Sequence, residues 1–105
     1  MELLILGQKW KAYLHEEEKY IRNHGDDTEA YTWPKEKEIH FNEEEFCLRV
    51  VTHELVHAFY SETCTTAACL DAAQVEEVLA EMFGYHGDKI LRLARKLYKA
   101  LKDNQ

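Results

Sequence analysis

The stretch Asn42-Glu43-Glu44-Glu45-Phe46-Cys47-Leu48-Arg49-Val50-Val51-Thr52-His53-Glu54-Leu55-Val56-His57-Ala58-Phe59-Tyr60-Ser61 divides the chain into two kinds of sequence. Asn42, with Glu45 three residues later, is an N-cap with a capping-box partner, and it predicts a helix from about Glu43 to about Ser61. On its wheel Phe46, Val50, His53 and His57 share one side, and Leu48, Val51, Leu55, Ala58 and Phe59 the other. Both sides read as buried, so the helix is expected to lie sandwiched between a sheet and further helices. It contains His53-Glu54-Leu55-Val56-His57, an H-E-x-x-H pentapeptide. Histidines four apart share a helical face and can grip one metal ion. Glu54 lies beside them, where it can take a proton from a metal-bound water. With 6 His and 15 Glu among 105 residues, such a pentapeptide arises by chance in about one chain of twenty. The motif therefore needs its structural context and a third ligand.

Before this stretch the chain reads as strands. Leu3-Leu4-Ile5-Leu6 is a continuous apolar run, expected as a buried strand, and Gly7-Gln8 is a turn candidate. Trp10, Ala12 and Leu14 alternate with Lys9, Lys11 and Tyr13, which suits a half-buried strand. Glu16 to His24 is charged and reads as loop or a single helical turn; Gly25-Asp26-Asp27 punctuates it. Ala30-Tyr31-Thr32-Trp33 has β-type composition and Pro34 ends it, and Glu38-Ile39-His40-Phe41 is a further short strand. After the stretch the chain reads as helix. Thr63 to Leu70 is a connector, Asp71 with Gln74 is a second start signal, and Gly84 is a stop. Asp88 opens a third helix with Ile90, Ala94, Leu97 and Leu101 along one stripe. The expected fold is α+β: a small N-terminal antiparallel sheet of three to four strands followed by three helices, in a single domain over residues 1–105.

Composition narrows the function classes. At 46% hydrophobic the chain can bury one core. No apolar run approaches the roughly 20 residues that span a bilayer, and the apolar start is short and has no basic lead, so neither a signal peptide nor a membrane partner is expected. A net charge of −7 argues against non-specific nucleic-acid binding. Three cysteines, Cys47, Cys64 and Cys69, are an odd count for a disulfide framework and point to a reducing, cytoplasmic setting. Without a second cysteine pair they read as small core residues rather than metal ligands. Lys89, Arg92, Arg95, Lys96, Lys99 and Lys102 gather near the C-terminus, as the wet face of an amphipathic helix or a docking surface for an acidic partner.

A catalytic zinc site takes three protein ligands and keeps one position open. Glu77 and Glu81 are four apart on the helix that starts at Asp71 and share a face, flanked by Ala73, Ala80 and Gly84, small residues that would let another helix approach. From spacing alone, that face is equally well a ligand face or a solvated one. H-E-x-x-H followed, twenty residues beyond His57, by Glu77 in Glu77-Val78-Leu79-Ala80-Glu81-Met82-Phe83-Gly84 resembles the gluzincins, including the thermolysin-like peptidases. The resemblance covers about residues 46 to 84. It implies His53, His57 and Glu77 as zinc ligands, Glu54 as general base and Glu81 as the acid that orients His53, although an Asp is usual where this chain has Glu81. The chain's size and element order are similar to those of the minimal gluzincins and the compact ImmA/IrrE-like metallopeptidases of phages, prophages and bacteria, which act on repressor-type proteins inside the cell. Glu38-Ile39-His40-Phe41-Asn42 is similar in order to their substrate-aligning edge strand.

The metzincin pattern would require Gly and His at positions 60 and 63, which are Tyr60 and Thr63. His86, just past the glutamate helix, ranks behind Glu77 as third ligand. Candidates for donating to a developing oxyanion are Tyr85, His86, Tyr60 and His40. The leading expectation is a zinc-dependent peptidase acting on an intracellular protein or peptide. A zinc-binding interaction module with little or no catalysis, docking on a repressor or phage protein, is the alternative, since a metal adds much stability to a small domain. A helical domain with a chance motif and no metal is the third reading. Glu54 favours the first, because a purely structural site has no use for a general base.

Overall fold

The structure is a computed structural model, and it describes residues 1–24, 30–63 and 71–104. The turn candidate Gly25-Asp26-Asp27, most of the expected Thr63 to Leu70 connector, and Cys64 and Cys69 lie outside the described residues. Strands β1 (Glu2–Ile5), β2 (Gln8–His15), β3 (Ala30–Trp33) and β4 (Glu38–Asn42) form one sheet in the order β1-β2-β4-β3. Helix α1 (Glu17–His24) follows β2, α2 (Leu48–Thr63) carries the pentapeptide, and α3 (Ala72–Asp103) runs nearly to the end.

The α+β class is as expected, but the sheet is mixed rather than antiparallel. β1 and β3 pair antiparallel with their neighbours, while β2 and β4 run parallel, Ala12 opposite Ile39 and Leu14 opposite Phe41. Both central strands point a buried pair at the helices, Trp10 and Ala12 on β2 and Ile39 and Phe41 on β4. The segment between β2 and β4 includes α1 and β3, long enough for the crossover that a parallel pair needs. α1 also turns the ambiguous Glu16–His24 segment into a helix; its Tyr20 is fully buried outside the main core, with its ring 6.3 Å from that of His15. The sheet therefore carries α2 on one face and α1 on the other, and α3 packs on α2.

The run Leu3-Leu4-Ile5-Leu6 is not buried on both sides. β1 is an edge strand, so Leu3 and Ile5 enter the core while Leu4 and Leu6 stay exposed. The chain turns at Leu6-Gly7, one residue earlier than the Gly7-Gln8 expectation, with φ of 50° and 81°. Gly7 accepts that left-handed geometry freely, while a leucine there costs roughly 1–2 kcal/mol. Lys37, φ 56°, takes the position that a glycine usually fills at the end of the β3–β4 hairpin, where its N–H donates to the Pro34 carbonyl at 3.2 Å.

The helical half differs in two places. Asn42 caps a 3-10 turn, Glu43–Glu45, by accepting from the Glu44 N–H, and α2 starts only at Leu48. Phe46 interrupts the path in extended backbone because its ring is held between Phe41 and Tyr98, at 5.3 and 5.1 Å. Secondly, the glutamate helix and the C-terminal helix are one continuous helix, capped by the expected box in which Asp71 and Gln74 hydrogen-bond each other's backbone. Gly84 does not stop it. The two glycines at 84 and 87 cost the helix about 1 kcal/mol each, and full burial of Met82 and Ile90 on either side returns about 1.5–3 kcal/mol apiece. The stripe Ile90, Ala94, Leu97 and Leu101 is buried as expected.

A Cβ added at Gly84 would meet nothing within 4 Å. Gly84→Ala is thus expected to stabilise the protein by about 0.5–1 kcal/mol in chemical denaturation. A helix that ended at Gly84 would instead lose stability.

Candidate metal centre

The buried face of α2 is Val50, Val51, Glu54, Leu55, Ala58 and Phe59. Five of these are ordinary core residues, and the sixth is a carboxylate. Glu54 is 6% exposed, yet its neighbours in the pentapeptide, His53 and His57, face solvent. The helix lies between the sheet and α3, as expected, but the side bearing the histidines is open. That follows from the hundred-degree step between consecutive helical residues, which turns Glu54 inward while His53 and His57 stay together.

The geometry of the pentapeptide suits a shared cation. The Nε2 atoms of His53 and His57 are 3.2 Å apart, with ring centroids separated by 4.8 Å. Glu54 Oε2 lies 3.7 Å from His53 Nε2, and ligand atoms of all three residues fall within 4.8 Å of one another. Two nitrogens each 2.0–2.1 Å from one tetrahedral zinc stand about 3.3–3.4 Å apart. The observed spacing matches that, so the donor set fits a zinc ion with the two imidazoles as its ligands.

A buried carboxylate needs partners. Glu54 has one from the sheet: the Thr32 hydroxyl on β3 lies 2.7 Å from Glu54 Oε1, and 3.3 Å from the Glu54 carbonyl oxygen. At those distances the proton goes mainly to the carboxylate. Thr32 lies opposite Ile39, on the face of the sheet that meets α2. The far end of α2 is tied down too, where Glu62 accepts from Trp10 Nε1 at 3.2 Å and pairs with Lys37, whose ammonium also lies over the Trp10 ring. The sheet thus holds the helix within the pentapeptide and again at the C-terminal end of α2.

The remaining candidates sit elsewhere. Glu77 and Glu81 are exposed on the first turns of α3, and neither joins the group formed by His53, Glu54 and His57 among the described residues. His53 contacts His57 and Glu54 rather than Glu81. The small residues Ala73, Ala80 and Gly84 are exposed, so among the described residues no helix packs closely against that face. Tyr85 is 77% exposed, and Tyr60 is partly buried against the core. His86 is half-buried with its ring 6.2 Å from Phe59, and its buried Nδ1 has no hydrogen-bond partner among the described residues. His40 lies on the opposite face of the sheet, where it hydrogen-bonds His15 at 2.8 Å and Glu38 at 3.1 Å and stacks on Tyr13. Strand alternation puts it there, because its neighbours Ile39 and Phe41 enter the core; it is therefore removed from the oxyanion candidates. Thr32 is the site residue that the sequence reading missed. Its only signal was a place in the β-type run 30–33, and the register that turns it toward α2 is not written in that run.

No family model, no curated protein and no solved structure matches this chain.

Replacing the Thr32 hydroxyl by a methyl leaves the Glu54 carboxylate without its donor. Thr32→Val is expected to destabilise the protein by about 1–3 kcal/mol in urea unfolding, and Thr32→Ser to be close to the parent. Equal stability of Val and Ser at this position would show that the hydrogen bond contributes nothing.

Proposed function

We propose that this protein is a zinc-dependent peptidase in which His53 and His57 hold the metal and Glu54 acts as general base. The observation that carries this reading is the split within the pentapeptide: two imidazoles on the open side with nitrogens 3.2 Å apart, and a buried carboxylate beside them.

A zinc ion held there would polarise the scissile carbonyl and lower the pKa of a bound water towards about 7. The chain's own residues do the rest. Neutral imidazoles present Nε2 lone pairs to the metal, which puts their protons on Nδ1. Thr32 fixes one oxygen of Glu54 and leaves Oε2, on the His53 side, as the atom that accepts the water proton and later passes it to the leaving amine. Substrate would approach along β3. The sequence expectation gave that role to Glu38–Asn42, but β4 is an interior strand between β2 and β3. β3 is the outer strand of the sheet among the described residues and holds Thr32, so an extended peptide added there would run beside the pentapeptide. An intracellular protein, such as a repressor, is the proposed substrate class.

Glu77 is the proposed third ligand. This role rests on the resemblance in spacing and on the carboxylate chemistry of the residue: Glu77 is exposed and free to take a metal, while Leu79 on the same turn packs against the core. The expected outcome is one zinc per chain by elemental analysis and hydrolysis of casein or a repressor that Glu54→Gln abolishes without loss of metal. Glu77→Ala should weaken zinc binding by about tenfold or more in a chelator competition. If the parent and Glu54→Gln bind zinc equally and neither cuts, the protein is a zinc-binding interaction module. If Glu77→Ala leaves the affinity unchanged, the gluzincin ligand set is wrong.

A further inference from the structure

We infer that the groove between the β1 edge and α3 is a docking site for an acidic amphipathic segment of a partner protein. Its floor is Phe59, Leu93 and Leu4, and its rim is Lys89, Arg92 and Lys96. It does not involve His53, Glu54 or His57, so the inference stands apart from the peptidase reading.

The charges are the first argument. The chain carries −7 overall, yet three cations gather on one face of α3 at spacings of three and four residues. Among the described residues, none of the three forms an ion pair with a carboxylate. In a protein with 20 acidic groups, three unpaired neighbouring cations beside apolar surface make a local field that attracts carboxylates. They stand in a row over about 10 Å of helix. A row of that length suits several carboxylates along one face of a helix better than the single headgroup of a fatty acid.

The second argument is the apolar part. Leu4 is 64% exposed and Leu6 36%, and both line this groove. Leu6 sits in the left-handed region, φ 50°, at a turn position where Asn, Asp or Gly is favoured. An exposed leucine held in an unfavourable backbone conformation is a poor choice for folding, and such choices collect at functional surfaces. A partner helix with leucines facing the groove and glutamates toward the rim would cover Leu4, Leu6 and Leu93 while its carboxylates meet Lys89, Arg92 and Lys96, the helix-in-groove mode of recognition.

The test is fluorescence anisotropy with a fluorescein-labelled helical peptide of about four turns, leucines on one face and glutamates elsewhere. A control peptide has lysine in place of every glutamate. The acidic peptide is expected to bind, the lysine peptide not, and added salt to weaken binding. The triple reversal Lys89→Glu, Arg92→Glu and Lys96→Glu, all exposed or rim positions, should weaken it by about tenfold or more. Leu6→Asn should weaken it several-fold yet raise the melting midpoint by about 4–8 °C, which separates lost contact from lost folding. Equal binding of the two peptides, an unchanged affinity in the triple variant, or binding of laurate but not of the acidic peptide would overturn the inference. So would a dimer, by light scattering, that the triple reversal splits, since the occupant would then be a second copy of this chain.

Discussion

The hydrogen bond from the Thr32 hydroxyl to the Glu54 carboxylate joins the two halves of this protein. One partner is on the sheet's outer strand and the other on the helix that bears both histidines, 22 residues later in the chain. Burying a carboxylate without a donor would cost several kilocalories per mole (about 2–7 for a neutral polar group, more for a charge). The contact therefore fixes how α2 lies on the sheet, because sliding or rotating the helix would break it. Fixing α2 also fixes His53 and His57 on the open side, four residues apart and one turn above each other.

That arrangement accounts for the chemistry proposed. Metal ligands have to be reachable and a general base has to be oriented; the pentapeptide would meet both needs because adjacent residues on a helix face different environments. His53 and His57 stay in solvent where an ion can enter. Glu54 faces the sheet, where one of its oxygens is occupied and the other is directed toward His53. The pair at the far end of the helix, Glu62 with Lys37 and Trp10, resists fraying of the turns that follow His57.

Much of this could be read from residues alone, and the failures have physical reasons. The pentapeptide, the strand alternation of Trp10, Ala12 and Leu14, the capping box at Asp71 and the stripe from Ile90 to Leu101 are local patterns, and each became the element expected. Wrong readings came where tertiary packing overrode a local signal. Gly84 looked like a stop, but burial of Met82 and Ile90 carries the helix through it. Asn42 looked like the cap of α2, but the Phe46 ring is held between Phe41 and Tyr98 and delays the helix to Leu48. Glu38–Asn42 looked like an edge strand, yet the crossover through α1 places it inside the sheet and leaves β3 at the edge. Thr32 was invisible for the same reason, since strand order decides what it faces. Glu77 was expected from spacing and resemblance; spacing puts it on a face of α3, and nothing local decides whether that face meets α2.

The central claim is that His53 and His57 ligate one divalent ion with Glu54 at its side. Crystals grown with zinc, and diffraction recorded on both sides of the zinc absorption edge, test it directly. The account predicts a single strong anomalous peak about 2.0–2.1 Å from both Nε2 atoms. A peak only elsewhere, for instance at His15 and His40 on the opposite face of the sheet, or no peak at all with both imidazoles hydrogen-bonded only to each other and to water, would contradict it.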